Sequence, residues 1–99
     1  MAEKFVTVIV PCKNEERHIA ECLESILAND YPKEKLEVLV IDGMSQDRTR
    51  EIIKKYPVQL LDNPKVSTPV AMNLGIQNAK GEVIIKMDAH CLYAKDYIS

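Results

Sequence analysis

Residues 5–15 read FVTVIVPCKNE, a nearly apolar run, rich in β-branched residues, that ends in a proline and a polar turn. Such a run predicts a strand over residues 5–10 that is covered on both faces. Three further strand-like runs follow it along the chain, at residues 36–41, 58–61 and 83–87. Polar residues come directly after each run, so the sequence predicts four strands that lead into polar loops.

Segments with helical periodicity separate the predicted strands, at residues 14–29, 47–56 and 68–79. Asn14 is the expected N-cap of the first helix, and Thr68 is the expected N-cap of the third, with Pro69 at the first helical position. Strands that alternate with helices are typical of βαβ units. The sequence therefore predicts an α/β fold: a mainly parallel sheet in a three-layer, Rossmann-like arrangement, built from four βα-type units.

The chain has 99 residues, which is enough for one small domain or for part of one. Its net charge of −2, without a basic stripe, argues against nucleic acid as a partner. The longest apolar run, at residues 5–10, is too short for a membrane span or a signal peptide. We therefore expect a cytoplasmic protein, or one at the cytoplasmic face of the membrane in a longer form.

The carboxyl ends of parallel strands meet at one edge of a sheet, which is where ligands bind in open α/β folds. The predicted loops at this edge are residues 11–15, 42–47, 62–64 and 88–90. They contain neither a glycine-rich dinucleotide motif nor a Walker loop. Their carboxylates could accept hydrogen bonds from a uracil ring or from ribose hydroxyls. Asp88 and His90 could ligate a divalent cation, and this oxygen and nitrogen donor set favours Mn²⁺ over Mg²⁺.

Five short motifs occur in a fixed order on these predicted elements. They are Pro-x-x-Asn-Glu at residues 11–15, Asp42 with the turn Ser45-Gln46-Asp47-Arg48-Thr49, Asn73-Leu74-Gly75, Ala79-Lys80-Gly81, and Asp88-Ala89-His90. In this order they resemble the N-terminal half of a family-2 glycosyltransferase catalytic domain with the GT-A fold. The resemblance covers nearly the whole chain. The Asp-Ala-His variant of the last motif is similar to that of bacterial exopolysaccharide glycosyltransferases of the succinoglycan type.

The resemblance implies a role for each matching residue. Glu15 and Asp42 would hold the uridine of a UDP-sugar donor, and Asp88 would approach the ribose and the cation. His90 would be the second metal ligand. The remaining residues that the resemblance implies for the nucleotide-sugar site are Pro11, Asn14, Ser45 and Asp47, of which Ser45 and Asp47 shape the turn beneath the nucleotide.

The resemblance also implies the reaction, an inverting, cation-assisted transfer of a sugar from a UDP-sugar to a glycan or lipid-linked acceptor in polysaccharide synthesis. In this family the general base follows the Asp-x-Asp motif, so the catalytic base is expected beyond Ser99. Residues 1–99 are then the N-terminal nucleotide-sugar-binding part, without the acceptor half and with little transferase activity alone. The fourth strand would have an exposed apolar edge, which predicts a homodimer through that edge or through exchange of the C-terminal segment.

Two departures from the family pattern affect the predicted site. His90 replaces an acid and makes metal binding pH-dependent, because imidazole must be neutral to ligate. Met72 stands where the family often has an arginine, which would remove a phosphate contact. Two other interpretations are a non-catalytic α/β nucleotide-binding or regulatory module, such as a receiver domain, and a sugar nucleotidyltransferase. A receiver requires paired acids after the first strand and a nucleotidyltransferase a glycine- and arginine-rich turn there, and residues 11–15 fit both poorly.

Overall fold

The computed structural model describes residues 4–93 and residue 98. Its centre is a four-stranded sheet in which all paired strands run parallel. The strands are β1 (Val6–Cys12), β2 (Leu36–Asp42), β3 (Gln59–Asp62) and β4 (Val83–Lys86). Their spatial order is β3-β2-β1-β4, so β1 lies between β2 and β4. The predicted α/β fold with a parallel sheet is confirmed.

Within the described residues, the α-helices are α1 (Ile19–Leu27), α2 (Thr49–Ile53) and α3 (Thr68–Asn78), and a short 3₁₀ helix, Lys33–Lys35, precedes β2. Helices α1 and α2 share one apolar core with Val8 on one face of the sheet. Helix α3 shares a second core with Ile9 on the other face. Neighbouring residues of β1 thus belong to different cores, which explains why its sequence is apolar throughout. None of the described helices is both long enough and apolar enough to span a membrane.

Helix α3 approaches β1 most closely at Gly75. A Cβ atom at this position would lie 2.7 Å from Cδ1 of Ile9, which is closer than packed carbon atoms tolerate. The glycine of the Asn-x-Gly motif therefore allows the helix to lie directly on the central strand.

Helix α1 begins five residues later than predicted, at Ile19. Asn14 has a φ of 52°, a left-handed conformation, whereas an N-cap residue has an extended one. Its side-chain oxygen accepts a hydrogen bond from the backbone N–H of Gln46, in the loop after β2. The prediction of Asn14 as the N-cap is therefore wrong, because this residue joins two loops and does not start the helix.

The other helices differ from the prediction at their N-termini. Helix α2 begins at Thr49, because the carboxylate of Asp47 accepts the backbone N–H and the hydroxyl of Thr49 at the head of the helix. Helix α3 begins at Thr68, one residue earlier than predicted, and the prediction of Thr68 as its N-cap is wrong. The N-cap is Ser67, whose hydroxyl oxygen accepts the N–H of Val70 at 3.3 Å. These shifts leave the strand and helix order unchanged.

Strand β4 lies at one edge of the sheet. Within the described residues it pairs with β1 alone, from Val6 opposite Val83 to Ile9 opposite Lys86. Val83 is 38% exposed and Ile84 is 40% exposed. The apolar edge that the sequence predicted for the fourth strand is therefore open to solvent in this structure.

Candidate functional site

The loops that follow the four strands enclose a pocket of about 300 Å³ at the carboxyl edge of the sheet. Four of the predicted site residues line it: Pro11, Glu15, Asp88 and His90. The other four form hydrogen bonds within and between the loops beside it: Asn14, Asp42, Ser45 and Asp47. The structure thus separates the predicted residues into a lining group and a supporting group.

Asp42, at the end of β2, is the centre of the supporting group. Its side chain is fully buried. Oδ2 accepts hydrogen bonds from the backbone N–H of Ser45 and from Nη1 of Arg50, both at 2.9 Å. Oδ1 accepts the hydroxyl of Ser45 and, at 3.5 Å, the thiol of Cys12. Both oxygens are therefore occupied by protein groups, and the carboxylate has no exposed surface for the uridine contact that the resemblance implies.

The ionisation of Asp42 follows from these contacts. Burial alone would raise its pKa, but the hydrogen bonds from Ser45 and Arg50 outweigh burial and hold the pKa below its ordinary value of 3.8. Nη1 of Arg50 also lies 2.7 Å from Oδ1 of Asp62, so one guanidinium links the ends of β2 and β3. Burial, followed by the charge of Asp42, raises the pKa of the Cys12 thiol, which therefore stays protonated and is no nucleophile.

The loop after β1 is fastened to the loop after β2 by hydrogen bonds in both directions. The backbone N–H of Asn14 donates to the hydroxyl oxygen of Ser45 at 2.8 Å, and Oδ1 of Asn14 accepts the N–H of Gln46 at 2.8 Å. The backbone N–H of Glu15 donates to the hydroxyl oxygen of Thr49 at 2.8 Å. We call residues 12–16 with residues 42–50 the β1–β2 loop network. Its polar atoms hold one another, so it forms a preorganised wall of the pocket.

Asp47 holds the far end of this network. Its Oδ2 accepts the backbone N–H of Glu16 at 3.3 Å, and its Oδ1 accepts the backbone N–H of Thr49 at 3.0 Å. One carboxylate therefore connects the loop after β1 to the first turn of α2.

Asp88, Ala89 and His90 form another wall of the pocket, and they belong to the segment of residues 87–93, which we call the β4 loop. Nδ1 of His90 lies 3.1 Å from Oε2 of Glu15, which joins this loop to the β1–β2 loop network across the pocket. Oδ1 of Asp88 lies 3.9 Å from Nζ of Lys86, and the Asp88 side chain is 57% exposed. The Asp88 carboxylate is therefore accessible to a ligand in the pocket, unlike that of Asp42.

Two lysines of the pocket were not among the predicted site residues. Lys13 follows β1 directly, and Lys86 is the last residue of β4; both line the pocket. Their charges change the chemistry of the site, because a pocket of carboxylates alone would repel a diphosphate. A signal was present in the sequence, since Lys13 lies within the Pro-x-x-Asn-Glu motif and Lys86 stands two residues before Asp88, each at the carboxyl end of a strand.

Gly43 and Val66 shape the floor of the pocket and were also missed. A Cβ atom on Gly43 would lie 3.4 Å from the carbonyl oxygen of Cys12, 3.5 Å from Cγ1 of Val66 and 3.6 Å from Cβ of Lys13. Any larger side chain at position 43 would therefore fill the space between Lys13 and Val66. The glycine keeps a slot open between one basic and one apolar side chain.

Backbone strain is concentrated at the same edge of the sheet. Among the described residues, the non-glycine residues with a left-handed φ are Asn14 (52°), Met44 (61°) and Val66 (65°). Each lies in the loop that follows one of the first three strands. This conformation is rare for a β-branched residue such as Val66, and such strain is typical of functional sites. Close to Val66, the buried Oδ1 of Asn63 accepts no hydrogen bond from the part of the chain that the structure describes.

A comparison with known families identifies the chain. Residues 7–99 match the family model described as glycosyl transferase family 2. The chain belongs to glycosyltransferase family 2. The match covers nearly the full sequence, so the resemblance recognised from the five motifs is confirmed. The receiver-domain and nucleotidyltransferase interpretations are set aside.

Two relatives illustrate how this glycosyltransferase sequence compares with longer proteins. It is 37% identical over 101 residues to the dolichyl N-acetyl-α-D-glucosaminyl phosphate 3-β-D-2,3-diacetamido-2,3-dideoxy-β-D-glucuronosyltransferase of Methanococcus voltae, covering 95% of this chain and 32% of the relative. It is 33% identical over 97 residues to the succinoglycan biosynthesis protein ExoA of Rhizobium meliloti (strain 1021), covering 91% of this chain and 29% of the relative. The chain thus spans about a third of the length of these relatives.

Two solved structures match the fold of this glycosyltransferase chain. The mannosyltransferase PcManGT of Pyrobaculum calidifontis, in complex with GDP-Man and Mn²⁺, has a TM-score of 0.86 and 35% identity, over 95% of this chain and 30% of that one. Residues 1–349 of TarS from S. aureus, in complex with UDP-GlcNAc, give a TM-score of 0.82 and 32% identity, over 91% of this chain and 28% of that one. The GT-A fold that the resemblance implied is confirmed.

The donor atoms of the glycosyltransferase pocket fit part of a divalent cation site. Asp88 offers an exposed carboxylate, and His90 uses Nδ1 toward Glu15, which leaves Nε2 to ligate. In the described part of the chain no three His, Cys, Asp or Glu side chains are arranged to hold a metal by themselves. Mg²⁺ at nucleotide sites is held by one or two carboxylates together with substrate phosphates. The residues present therefore fit a cation whose remaining ligands come from a diphosphate and water.

Proposed function

We propose that the chain is the nucleotide-sugar-binding part of a glycosyltransferase catalytic domain. The complete enzyme would transfer a sugar, with inversion, from a UDP-sugar to a glycan or lipid-linked acceptor in polysaccharide synthesis. The main support is that Asp88 and His90 line the same pocket as Lys13 and Lys86. A carboxylate and an imidazole suit a cation, and lysines suit phosphate oxygens, so the set fits a nucleoside diphosphate bound together with a metal ion.

The diphosphate of the donor would lie between Lys13 and Asp88. Asp88 and His90 would hold the cation, and the nitrogen ligand favours Mn²⁺ over Mg²⁺. When bound, the cation would neutralise negative charge on the leaving diphosphate. Lys13 and Lys86 would orient the phosphates. They would also preserve part of the affinity of the pocket for the diphosphate when no metal is bound. This placement is supported by the 3.9 Å approach of Lys86 to Asp88.

The nucleobase would occupy the slot above Gly43. Lys13 and Val66 flank this slot, and the apolar Val66 side chain is 43% exposed, although it stands in a strained conformation. A flat ring that covers Val66 would remove apolar surface from water. Asp42 would then position the loop under the base and would not contact it, which revises the role implied by the resemblance.

We retain uridine as the base. TarS was solved with UDP-GlcNAc and PcManGT with GDP-Man and Mn²⁺, so the relatives support a nucleotide-sugar donor with either base. The resemblance to succinoglycan-type enzymes favours uridine and a role in exopolysaccharide synthesis. We further propose that the protein acts in the cytoplasm or at the cytoplasmic face of the membrane, and that the catalytic base belongs to the part of the catalytic domain that follows Ser99.

A titration of UDP into the 99-residue chain, with and without Mn²⁺, tests the donor site. We expect binding in the submillimolar range with Mn²⁺, and the Mn²⁺-dependent part of the affinity should disappear in Asp88→Asn. Asp30→Asn is the matched control, because Asp30 is exposed after α1. The proposal is wrong if millimolar UDP does not bind, or if Asp88→Asn keeps the response of Asp30→Asn to Mn²⁺. Tighter binding of GDP than of UDP would indicate that the nucleoside of the donor is guanosine and not uridine.

The open edge of β4 supports a second copy of the chain as a partner. Val83 and Ile84 present apolar side chains on a strand whose outer edge pairs with no other strand among the described residues, a combination that favours pairing between chains. We propose a homodimer through this edge or through exchange of the C-terminal segment. Light scattering should show a concentration-dependent dimer that is weakened in Ile84→Lys, and a monomer at high concentration would exclude the dimer.

A further inference from the structure

The backbone of Asp88 is held by a side chain five residues further along the β4 loop. The backbone N–H of Asp88 donates to the phenol oxygen of Tyr93 at 2.6 Å. The same hydroxyl donates to the carbonyl oxygen of Asp88 at 3.3 Å. Tyr93 therefore engages both the N–H and the C=O of one residue, and it closes the β4 loop into a ring.

Helix α1 anchors this ring. The backbone N–H of Tyr93 donates to the hydroxyl oxygen of Ser25 at 3.1 Å, and that hydroxyl donates to the carbonyl oxygen of Cys22 at 2.7 Å. The thiol of Cys22 donates to the carbonyl oxygen of Asp88 at 3.2 Å. The ring is thus attached to a buried face of α1 at both of its ends.

These contacts hold the main chain of Asp88 and leave its carboxylate exposed. The side chain is 57% exposed and approaches Nζ of Lys86 at 3.9 Å. A residue with a fixed backbone and an accessible side chain loses little further freedom when it meets a ligand.

We propose that Tyr93 is a positioning residue that preorganises Asp88 for the cation and the diphosphate. The inference rests on the proposed function, since it requires that Asp88 contacts this ligand pair. Tyr93 touches neither the cation nor the nucleotide; it acts through the backbone of Asp88. Its loss should therefore weaken the metal-dependent part of donor affinity and leave the metal-independent part unchanged.

Tyr93→Phe tests this inference, with Tyr56→Phe as the matched control. Tyr56 also donates its hydroxyl to one partner, Oε2 of Glu24 at 2.6 Å, and it is not among the residues that line the pocket. In Tyr93→Phe we expect the affinity for UDP with Mn²⁺ to fall about tenfold, the effect of about one lost hydrogen bond. Affinity for UDP without Mn²⁺ should be unchanged, and the Asp88 amide should exchange faster with deuterium. Tyr56→Phe should match the wild type in all three measurements.

Ser25→Ala provides a second variant that leaves Tyr93 intact. It removes one of the two anchors on α1 and leaves the one at Cys22, so it should weaken Mn²⁺-dependent binding in the same direction by a smaller factor. Wild-type affinity in Tyr93→Phe, or an equal loss with and without Mn²⁺, would overturn the positioning role while the proposed function stands. If the wild-type chain itself binds no UDP with Mn²⁺, the proposed function fails and the positioning role fails with it.

Discussion

The two walls of the pocket are built in opposite ways. In the β1–β2 loop network, Asp42 is fully buried and both of its oxygens are bound by protein groups. In the β4 loop, the side chains of Asp88 and His90 are 57% and 59% exposed. Asp42, at the end of β2, and Asp88, after β4, thus differ although both follow strands of one sheet: the first binds groups of the protein, and the second faces the pocket.

The position of an acid after a strand therefore does not reveal whether the acid stabilises the loops or faces a ligand. Asp42 stabilises the fold of the loops and fixes the wall that other residues line. Asp88 contributes little to that fold through its carboxylate, which remains available to a ligand. The free energy of unfolding should therefore depend mainly on the β1–β2 loop network, and ligand affinity mainly on the β4 loop. Substitutions in each wall can separate these two effects.

The largest effect on stability is expected from Asp42→Ala. The change leaves Arg50 and the N–H of Ser45 without their buried acceptor, which should lower the free energy of unfolding by about 3 kcal/mol. Urea unfolding at pH 7 measures this. Asp62→Ala is the control, because Asp62 binds the same guanidinium from a position that is 58% exposed, and its loss should stay below about 1 kcal/mol. Equal losses in the two variants would contradict the contrast between the walls.

A smaller effect on stability is expected when the pH is lowered and Asp42 becomes protonated. The pKa of Asp42 is lower in the folded chain than its ordinary 3.8, so the folded state binds fewer protons than the unfolded state. The stability that Asp42 contributes is therefore complete above about pH 4 and is lost as the pH falls through the folded pKa. The difference in unfolding free energy between the wild type and Asp42→Asn should shrink over this range. A difference that stays constant over the whole range would refute the assignment.

The smallest effect is expected from His90→Ala. The contact between His90 and Glu15 is partly exposed, and such pairs contribute less than about 0.5 kcal/mol. Urea unfolding should therefore give nearly the wild-type free energy, whereas affinity for UDP with Mn²⁺ should fall. A loss of stability above about 1 kcal/mol would show that the β4 loop is as structural as the β1–β2 loop network.

The fold was predictable because its signals are local. Apolar runs of strand length alternate with helical periodicity, and this order alone favours a parallel sheet between helices. The separation of β1 residues into two cores, with Val8 on one face and Ile9 on the other, is the physical counterpart of its unbroken apolar run. The parallel direction of the strands then predicted that a ligand site would lie at the carboxyl edge of the sheet.

The details of the site depend on contacts between distant residues. Asparagine is favoured both at N-caps and in left-handed turns. Asn14 adopts the left-handed turn, where its side chain accepts a hydrogen bond from Gln46, 32 residues away, and the local sequence does not reveal that contact. The burial of Asp42 depends on its hydrogen bond with Arg50. Nothing in the sequence around Arg50 indicates which acid it contacts. Nothing in the local sequence indicates a left-handed Val66, because β-branched residues avoid that conformation.

The central position of β1 also bears on how the chain folds as it is synthesised. β1 pairs on one edge with β2, the next strand along the sequence. Its other edge pairs with β4, where Val6 lies opposite Val83. Contacts between such distant residues form late, because the long intervening chain must first be closed into a loop. We therefore expect the nascent chain to assemble β1, β2 and β3 first and to expose one edge of β1 on the ribosome. The β4 loop would then form after the β1–β2 loop network, and the chain is most prone to aggregate in the interval before β4 pairs.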